Sequence, residues 1–304
     1  MKEHKALDRV TLVMGYECNL NCSYCPVHNL NYLRNPLSLS EWSWIIEKLV
    51  RSFNEDIPFF LSGGEPTFNF GLVNHVVSTL SKYNRKTILI TNATLLNKND
   101  EKRQVVKLAM LEITNATLLN KNKIKKLTEN KLSGLQVTFH FYYFKDVEKM
   151  RKELKRVLIL LTEYKKLSSG VTALSVNINT ERDFLILEQL NKIAVKGYLN
   201  EIDILELSLL NEHVKISPSN SYLKNLREYT EVEVSNYERN DAELREIAIT
   251  PDGFVIPMET IYPLMLKDRT KSKIFKNIRE SDFNEILNLE NLTVFEDIIK
   301  NWKE

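Results

Sequence analysis

The stretch Cys18-Asn19-Leu20-Asn21-Cys22-Ser23-Tyr24-Cys25 holds all three cysteines of a 304-residue chain. Core cysteines scatter along a sequence. Thiols spaced C-x3-C-x2-C within one short segment read as a ligand set for a metal or cluster. Their number matters as much as their spacing. Structural zinc takes a closed tetrahedral set and a cubane is usually held by four cysteines, so three thiols leave one metal position for another group. Three assignments fit these residues: an iron-sulfur cluster with one open iron, zinc bound by the three thiols and His28, or cysteines that are reactive or merely buried.

Outward from the thiols, the flanks read as alternating strand and helix. Arg9 to Gly15 (RVTLVMG) has the apolar, β-branched composition of a buried strand, which puts the cysteines at a strand's C-terminal end. Ser38 and Ser40 precede an amphipathic run from Glu41 to Ser52, with Trp42, Ile45, Ile46 and Leu49 at helical spacing. Ile57 to Leu61 is a second buried strand, ending in Ser62-Gly63-Gly64-Glu65-Pro66. Glycine lets a backbone approach a ligand closely, and a carboxylate complements an ammonium. By itself, Gly-Gly-Glu-Pro is also a common turn sequence.

The cysteine spacing followed at this distance by Gly63-Gly64-Glu65-Pro66 resembles the radical S-adenosylmethionine (SAM) enzymes, from about Arg9 to Leu209. The resemblance implies one 4Fe-4S cluster held by Cys18, Cys22 and Cys25, with its fourth iron chelated by SAM. It also implies reductive cleavage of SAM to a 5′-deoxyadenosyl radical that abstracts a hydrogen atom from substrate. Backbone and carboxylate groups of Gly63, Gly64, Glu65 and Pro66 would meet the methionyl amine, and Tyr24 would pack near the adenine. An external one-electron donor such as flavodoxin or ferredoxin is implied as a partner.

Further along, Phe70 to Tyr83 reads as a helix and Lys86 to Thr91 as a third strand. The decapeptide Ile90 to Asn99 (ITNATLLNKN) then recurs unchanged at Ile113 to Asn122. One recurrence is a local duplication and not a repeat architecture, which needs several copies to bury its faces. Relatives often carry Thr-Asn-Gly at this strand end, lining the SAM site; here Ala93 replaces the glycine. The strand-like Thr87-Ile88-Leu89-Ile90 leads into the first copy, so Asn92 is the expected site residue, ahead of Asn115.

Gly134 to His140 is a fourth strand, followed by a helix over Asp146 to Tyr164, a fifth strand over Val171 to Asn177, a helix over Glu181 to Lys196 and a sixth strand over Glu201 to Leu207. Thr138, His140, Asn177 and Asn179 then sit at strand C-terminal ends, the chemistry-bearing positions of a β/α barrel. Asn177 and Asn179 stand where relatives place polar groups near the ribose and carboxylate of SAM. His140 is the candidate catalytic residue. The expected fold is α/β, a partial (β/α)6 TIM-like barrel over 1–210, carrying the duplicated segment at about 97–122, with a short C-terminal α+β extension over 211–304.

That extension changes character. Val214 to Tyr237 reads as irregular and polar, and Glu246 to Pro257 as a hairpin around Pro251-Asp252-Gly253. With Phe275 to Ser281 it resembles the SPASM or twitch extension of peptide-modifying radical SAM enzymes, in which a cysteine follows the final proline. Here Met258 stands in that place. No thiolate-held auxiliary cluster is then expected, which favours redox-neutral outcomes over two-electron oxidations.

Composition bounds the rest. A net charge of +2 gives no electrostatic footprint for nucleic acid, and no run approaches a membrane span. The N-terminus lacks a signal-peptide h-region, and clustered free thiols point to a reducing, cytoplasmic setting. Two functional readings follow: a radical SAM enzyme acting on a peptide or small metabolite, or a non-catalytic iron-sulfur or zinc-binding scaffold derived from that family.

Overall fold

The computed structural model describes residues 8–20, 36–93, 121–140, 144, 146–178, 181–194, 199, 202–209, 220–236, 246–257 and 277–279. In chain order the elements are β1 (Arg9–Val13), α1 (Leu39–Ser52), β2 (Phe59–Ser62), α2 (Phe70–Lys82), β3 (Thr87–Thr91), α3 (Lys121–Glu129), β4 (Gly134–Phe139), α4 (Val147–Leu167), β5 (Val171–Ile178), α5 (Leu185–Ala194), β6 (Ile204–Leu209), α6 (Ser221–Leu226), β7 (Glu231–Asn236), β8 (Glu246–Ile249) and β9 (Val255–Pro257). Short 3-10 turns at Pro66–Asn69 and Glu181–Phe184 lead into α2 and α5. No helix among the described residues is long and apolar enough to cross a membrane.

The chain forms two compact units. The first comprises Met1–Ile90, Glu129–Gly134 and Asn240–Glu304. Its strands run in the order β3-β2-β1-β8-β9. β2 is parallel to β1 and β3, β8 is parallel to β1, and β9 returns antiparallel to β8. β1 is buried on both faces from Val10 to Val13, whereas β2 alternates; Val10 and Leu12 of β1 and Phe59 and Leu61 of β2 are fully shielded, as are Trp42, Ile45, Ile46 and Leu49 of α1. Each such side chain contributes about 1.5–3 kcal/mol by leaving water. α1 begins at Leu39, two residues ahead of the run read from Glu41, at a capping box in which Ser38 and Glu41 satisfy each other's backbone N–H groups. Its far end is held by buried Arg85, whose guanidinium donates to the carbonyls of Val50, Phe53 and Asn54.

The second unit comprises Thr91–Thr128 and Leu135–Arg239, with strand order β7-β6-β5-β4. β5, β6 and β7 are mutually parallel. α4 is capped by Asp146 and buries Leu154, Val157, Leu158, Leu161 and Tyr164 on one face. Near the N-terminal ends of β5 and β6, Asp203 accepts from Lys165 at 2.7 Å and from the Thr172 N–H at 2.8 Å.

One reading is corrected. Residues 214–237 are not uniformly irregular: α6 starts at an Asn220 cap, and β7 adds a parallel strand beside β6. The series therefore runs one strand beyond the six β/α units counted. β7 hides from a hydrophobicity scan because its E-V-E-V run alternates and its Val234 is exposed, as suits a strand with a neighbour on one side only. β7 pairs with β6, and β8 of the 246–257 hairpin pairs with β1. Among the described residues, β7 has β6 as its one strand neighbour and β9 has β8.

Within the first unit, residues 277–279 dock on the β8–β9 turn. Ile278 N–H donates to Gly253 carbonyl at 2.8 Å, and Asn277 Nδ2 donates to Asp252 carbonyl at 3.0 Å. Gly253 has φ +92, a conformation that favours glycine, and a Cβ on it would crowd the side chains of Asn277, Ile278 and Leu37 at 3.1–3.3 Å. Arg279 reaches Glu41 at 2.5 Å, and that guanidinium, with help from Ser38, holds the Glu41 carboxyl down at about 2.

Candidate functional site

β1 ends at Val13, and the chain then passes through Met14, Gly15, Tyr16 and Glu17 to Cys18. This segment lies against the end of β2. Met14 N–H donates to Ser62 carbonyl at 2.8 Å, Gly64 N–H to Gly15 carbonyl at 2.9 Å, and Glu65 N–H to Glu17 carbonyl at 2.6 Å. The glycines permit that approach. Gly63 has φ +137, and a Cβ on it would lie 2.4 Å from the Gly15 oxygen. A Cβ on Gly64 would lie 2.3 Å from the Glu17 oxygen. The close approach inferred from Gly63-Gly64 is thus made first to the chain's own backbone, one residue before the first thiol.

Glu65 is 2% exposed and is the N-cap of the 3-10 turn that starts at buried Pro66. Its Oε1 accepts the Thr67 N–H at 3.0 Å and the Thr67 hydroxyl. A carboxylate buried to this degree is costly unless it is hydrogen-bonded, and the cap provides part of that compensation. Cys18 is partly exposed, and its Sγ accepts the Leu20 N–H at 3.4 Å. N–H donation to sulfur favours the thiolate, the form that binds metal. The donor chemistry at Cys18 therefore fits a cluster ligand. Cys22, Cys25, Tyr24, His28, Asn179 and Met258 lie outside the described residues.

The second unit places the remaining candidates at strand ends. Asn92 follows β3 and is buried, and Ala93 adopts φ +46, the left-handed conformation that glycine tolerates and alanine does not favour. Ala93 N–H donates to Thr91 Oγ1 at 3.1 Å, and its carbonyl accepts Arg156 Nη2. Arg156 is itself paired with Glu153 Oε1 through Nε at 2.8 Å and Nη2 at 2.6 Å. Its Nη1 is buried with no acceptor among the described residues.

Thr138 on β4 and Asn177 on β5 are half-buried, and each alternates with fully buried apolar neighbours such as Val137 and Phe139, or Val176 and Ile178. Sequence reasoning missed two more residues on the same face. Gln136 Nε2 on β4 donates to Glu206 Oε2 on β6 at 2.8 Å, spanning the intervening β5, where Ser175 is the register partner of Glu206 and Asn177 that of Ser208. The signal was available in the period-two polar positions of L-Q-V-T-F-H and I-L-E-L-S-L. His140 follows β4, and burial pushes its imidazole down to about 4, so it is neutral at physiological pH.

Residues 8–139 match the family model of a 4Fe-4S single cluster domain. Solved structures share the fold across nearly the whole chain. SuiB from Streptococcus suis, bound to S-adenosylmethionine, has a TM-score of 0.56 at 15% identity, covering 94% of this chain and 65% of its own. The chain thus spans 65% of the length of that relative. A histidine-tagged anSMEcpe with bound AdoMet has a TM-score of 0.56 at 16% identity, covering 92% of this chain and 80% of its own. Native anSMEcpe with AdoMet and the Cp18Cys peptide has a TM-score of 0.54 at 16% identity, with the same coverage. No curated protein matches the chain.

Proposed function

We propose that this chain, which has the fold of the radical SAM enzymes and matches a 4Fe-4S single cluster domain over residues 8–139, is a working member of that superfamily. Its cofactors are one 4Fe-4S cluster, held by Cys18, Cys22 and Cys25, and SAM. Bound there and reduced by one electron, this pair would supply radical chemistry: cleavage of SAM to methionine and a 5′-deoxyadenosyl group able to abstract a hydrogen atom from substrate. The observation that carries the reading is the backbone lock between Gly15–Glu17 and Gly64–Glu65, which fixes the approach to Cys18 and the buried Glu65 carboxylate with respect to each other.

The chain's own residues bind and orient. Glu65 receives the methionyl ammonium of SAM, with Gly63, Gly64 and Pro66 setting its position. Asn92, Thr138, Asn177 and Asn179 supply polar groups around the ribose and carboxylate, and Tyr24 covers the adenine. A neutral His140 offers one donor and one acceptor to substrate and carries no charge that would repel the SAM sulfonium. The substrate is a peptide, a reading supported by the peptide in the anSMEcpe structure, with a small metabolite as the competing class. The electron comes from an external flavodoxin or ferredoxin in the cytoplasm.

The test is anaerobic reconstitution with iron and sulfide, reduction in the presence of SAM, and chromatography for 5′-deoxyadenosine. Product accumulating with the wild type and absent from Cys18→Ala supports the proposal. Cluster-loaded protein that leaves SAM intact would mark the chain as a scaffold without catalysis.

A further inference from the structure

The decapeptide 90–99 recurs at 113–122, and the first copy, which follows β3, carries the Asn92-Ala93 turn in a conformation that its own residues do not favour. We propose that Arg156, anchored by Glu153 on α4, is a positioning residue that holds the Asn92-Ala93 turn in the conformation the SAM site requires. The proposal rests on the reading above that Asn92 lines that site.

Ala93 is fully buried at φ +46. Glycine would hold that conformation unaided, whereas an alanine needs surrounding contacts that outweigh its preference for negative φ. Those contacts come from both sides of the peptide: Thr91 Oγ1 takes the Ala93 N–H at 3.1 Å, and Arg156 Nη2 donates to the Ala93 carbonyl. The guanidinium cannot drift, because Nε and Nη2 are both bonded to Glu153 Oε1 on the same rigid helix. Arg156 and Glu153 side chains are only 19% and 9% exposed. Taking an ion pair this far out of water carries a desolvation cost that a helix surface does not need for its own sake. The fork geometry also explains arginine over lysine, since one planar group serves carboxylate and carbonyl together.

The test compares Arg156→Lys, Ala93→Gly and the double variant. Arg156→Lys keeps a cation beside Glu153 and removes the fork; Arg156→Met with Glu153→Gln repeats the experiment without leaving a carboxylate unpaired. SAM binding to reconstituted protein is measured by equilibrium dialysis, alongside iron content and amide exchange of residues 91–93 in the apo protein. Arg156→Lys is expected to weaken SAM binding by roughly ten-fold and speed exchange at the turn, with iron content unchanged. Ala93→Gly in that background is expected to restore binding to within about three-fold, because glycine holds the turn without the clamp. Wild-type affinity in Arg156→Lys, or a double variant as weak as the single one, would overturn the inference. Wild-type protein that binds no SAM would instead defeat the reading of the site, and the exchange rates would still decide whether Arg156 holds the turn.

Discussion

Gly64→Ala is expected to abolish most cluster loading, with less than about a fifth of the wild-type iron retained after reconstitution. The added methyl would stand 2.3 Å from the Glu17 oxygen and 2.6 Å from the Tyr16 oxygen, and both obstacles are backbone. No rotamer relieves such a contact, so the 15–17 segment must move away and the Gly64–Gly15 and Glu65–Glu17 hydrogen bonds must break. Overpacking at about 1–3 kcal/mol together with two lost hydrogen bonds at about 1 kcal/mol each gives a cost of about 3–5 kcal/mol. Because Cys18 is the residue after Glu17, the displacement is delivered directly to a cluster ligand. Gly71→Ala in α2 is the internal control: its methyl would meet nothing closer than Asn69 Oδ1 at 3.9 Å, and alanine favours the helix by about 1 kcal/mol. Iron content and thermal melting measure both variants. A Gly64→Ala protein that loads and melts like the wild type would show that the lock is dispensable.

Glu65→Gln is expected to keep the fold and lose the cofactor. Glutamine has the same shape and retains an acceptor oxygen for Thr67, so the cap at Pro66–Asn69 survives with a melting temperature within a few degrees of wild type. What disappears is the negative charge that complements an ammonium. SAM affinity should fall by roughly thirty-fold or more, as expected for loss of a charge-assisted contact in a site shielded from water. Glu65→Ala removes cap and charge together and should show both losses, adding about 1 kcal/mol of instability. If Glu65→Gln bound SAM as tightly as the wild type, this carboxylate would be a helix cap and nothing more.

The two predictions separate what was legible in the sequence from what was not. The alternation of apolar strands and amphipathic helices from Arg9 to Leu209 could be read because each element carries its own period, and the serines at 38 and 40 marked the start of α1. The importance of Gly63 and Gly64 was readable, but their immediate partner was not. Sequence suggests close approach to a ligand, and only coordinates reveal that the Gly15–Glu17 backbone fills the space. β7 escaped because a short strand with one exposed face looks like polar coil when its neighbour is unknown. Nothing in the sequence singles out Arg156 and Glu153 within the helix that carries them. Their attachment to Ala93 spans 63 positions, a distance that local patterns do not carry. The same holds for Gln136 and Glu206, which meet only because β4 and β6 flank β5.

The central claim is that three thiolates hold a cluster whose remaining iron is open to SAM. Electron paramagnetic resonance of the reduced, reconstituted protein, recorded with and without SAM under anaerobic conditions, addresses it directly. A cluster of about four irons per chain whose spectrum shifts when SAM is added is the predicted result, since a new ligand at one iron alters the electronic structure of the whole cluster. A spectrum indifferent to SAM, or a chain that takes up zinc in place of iron, would contradict the account.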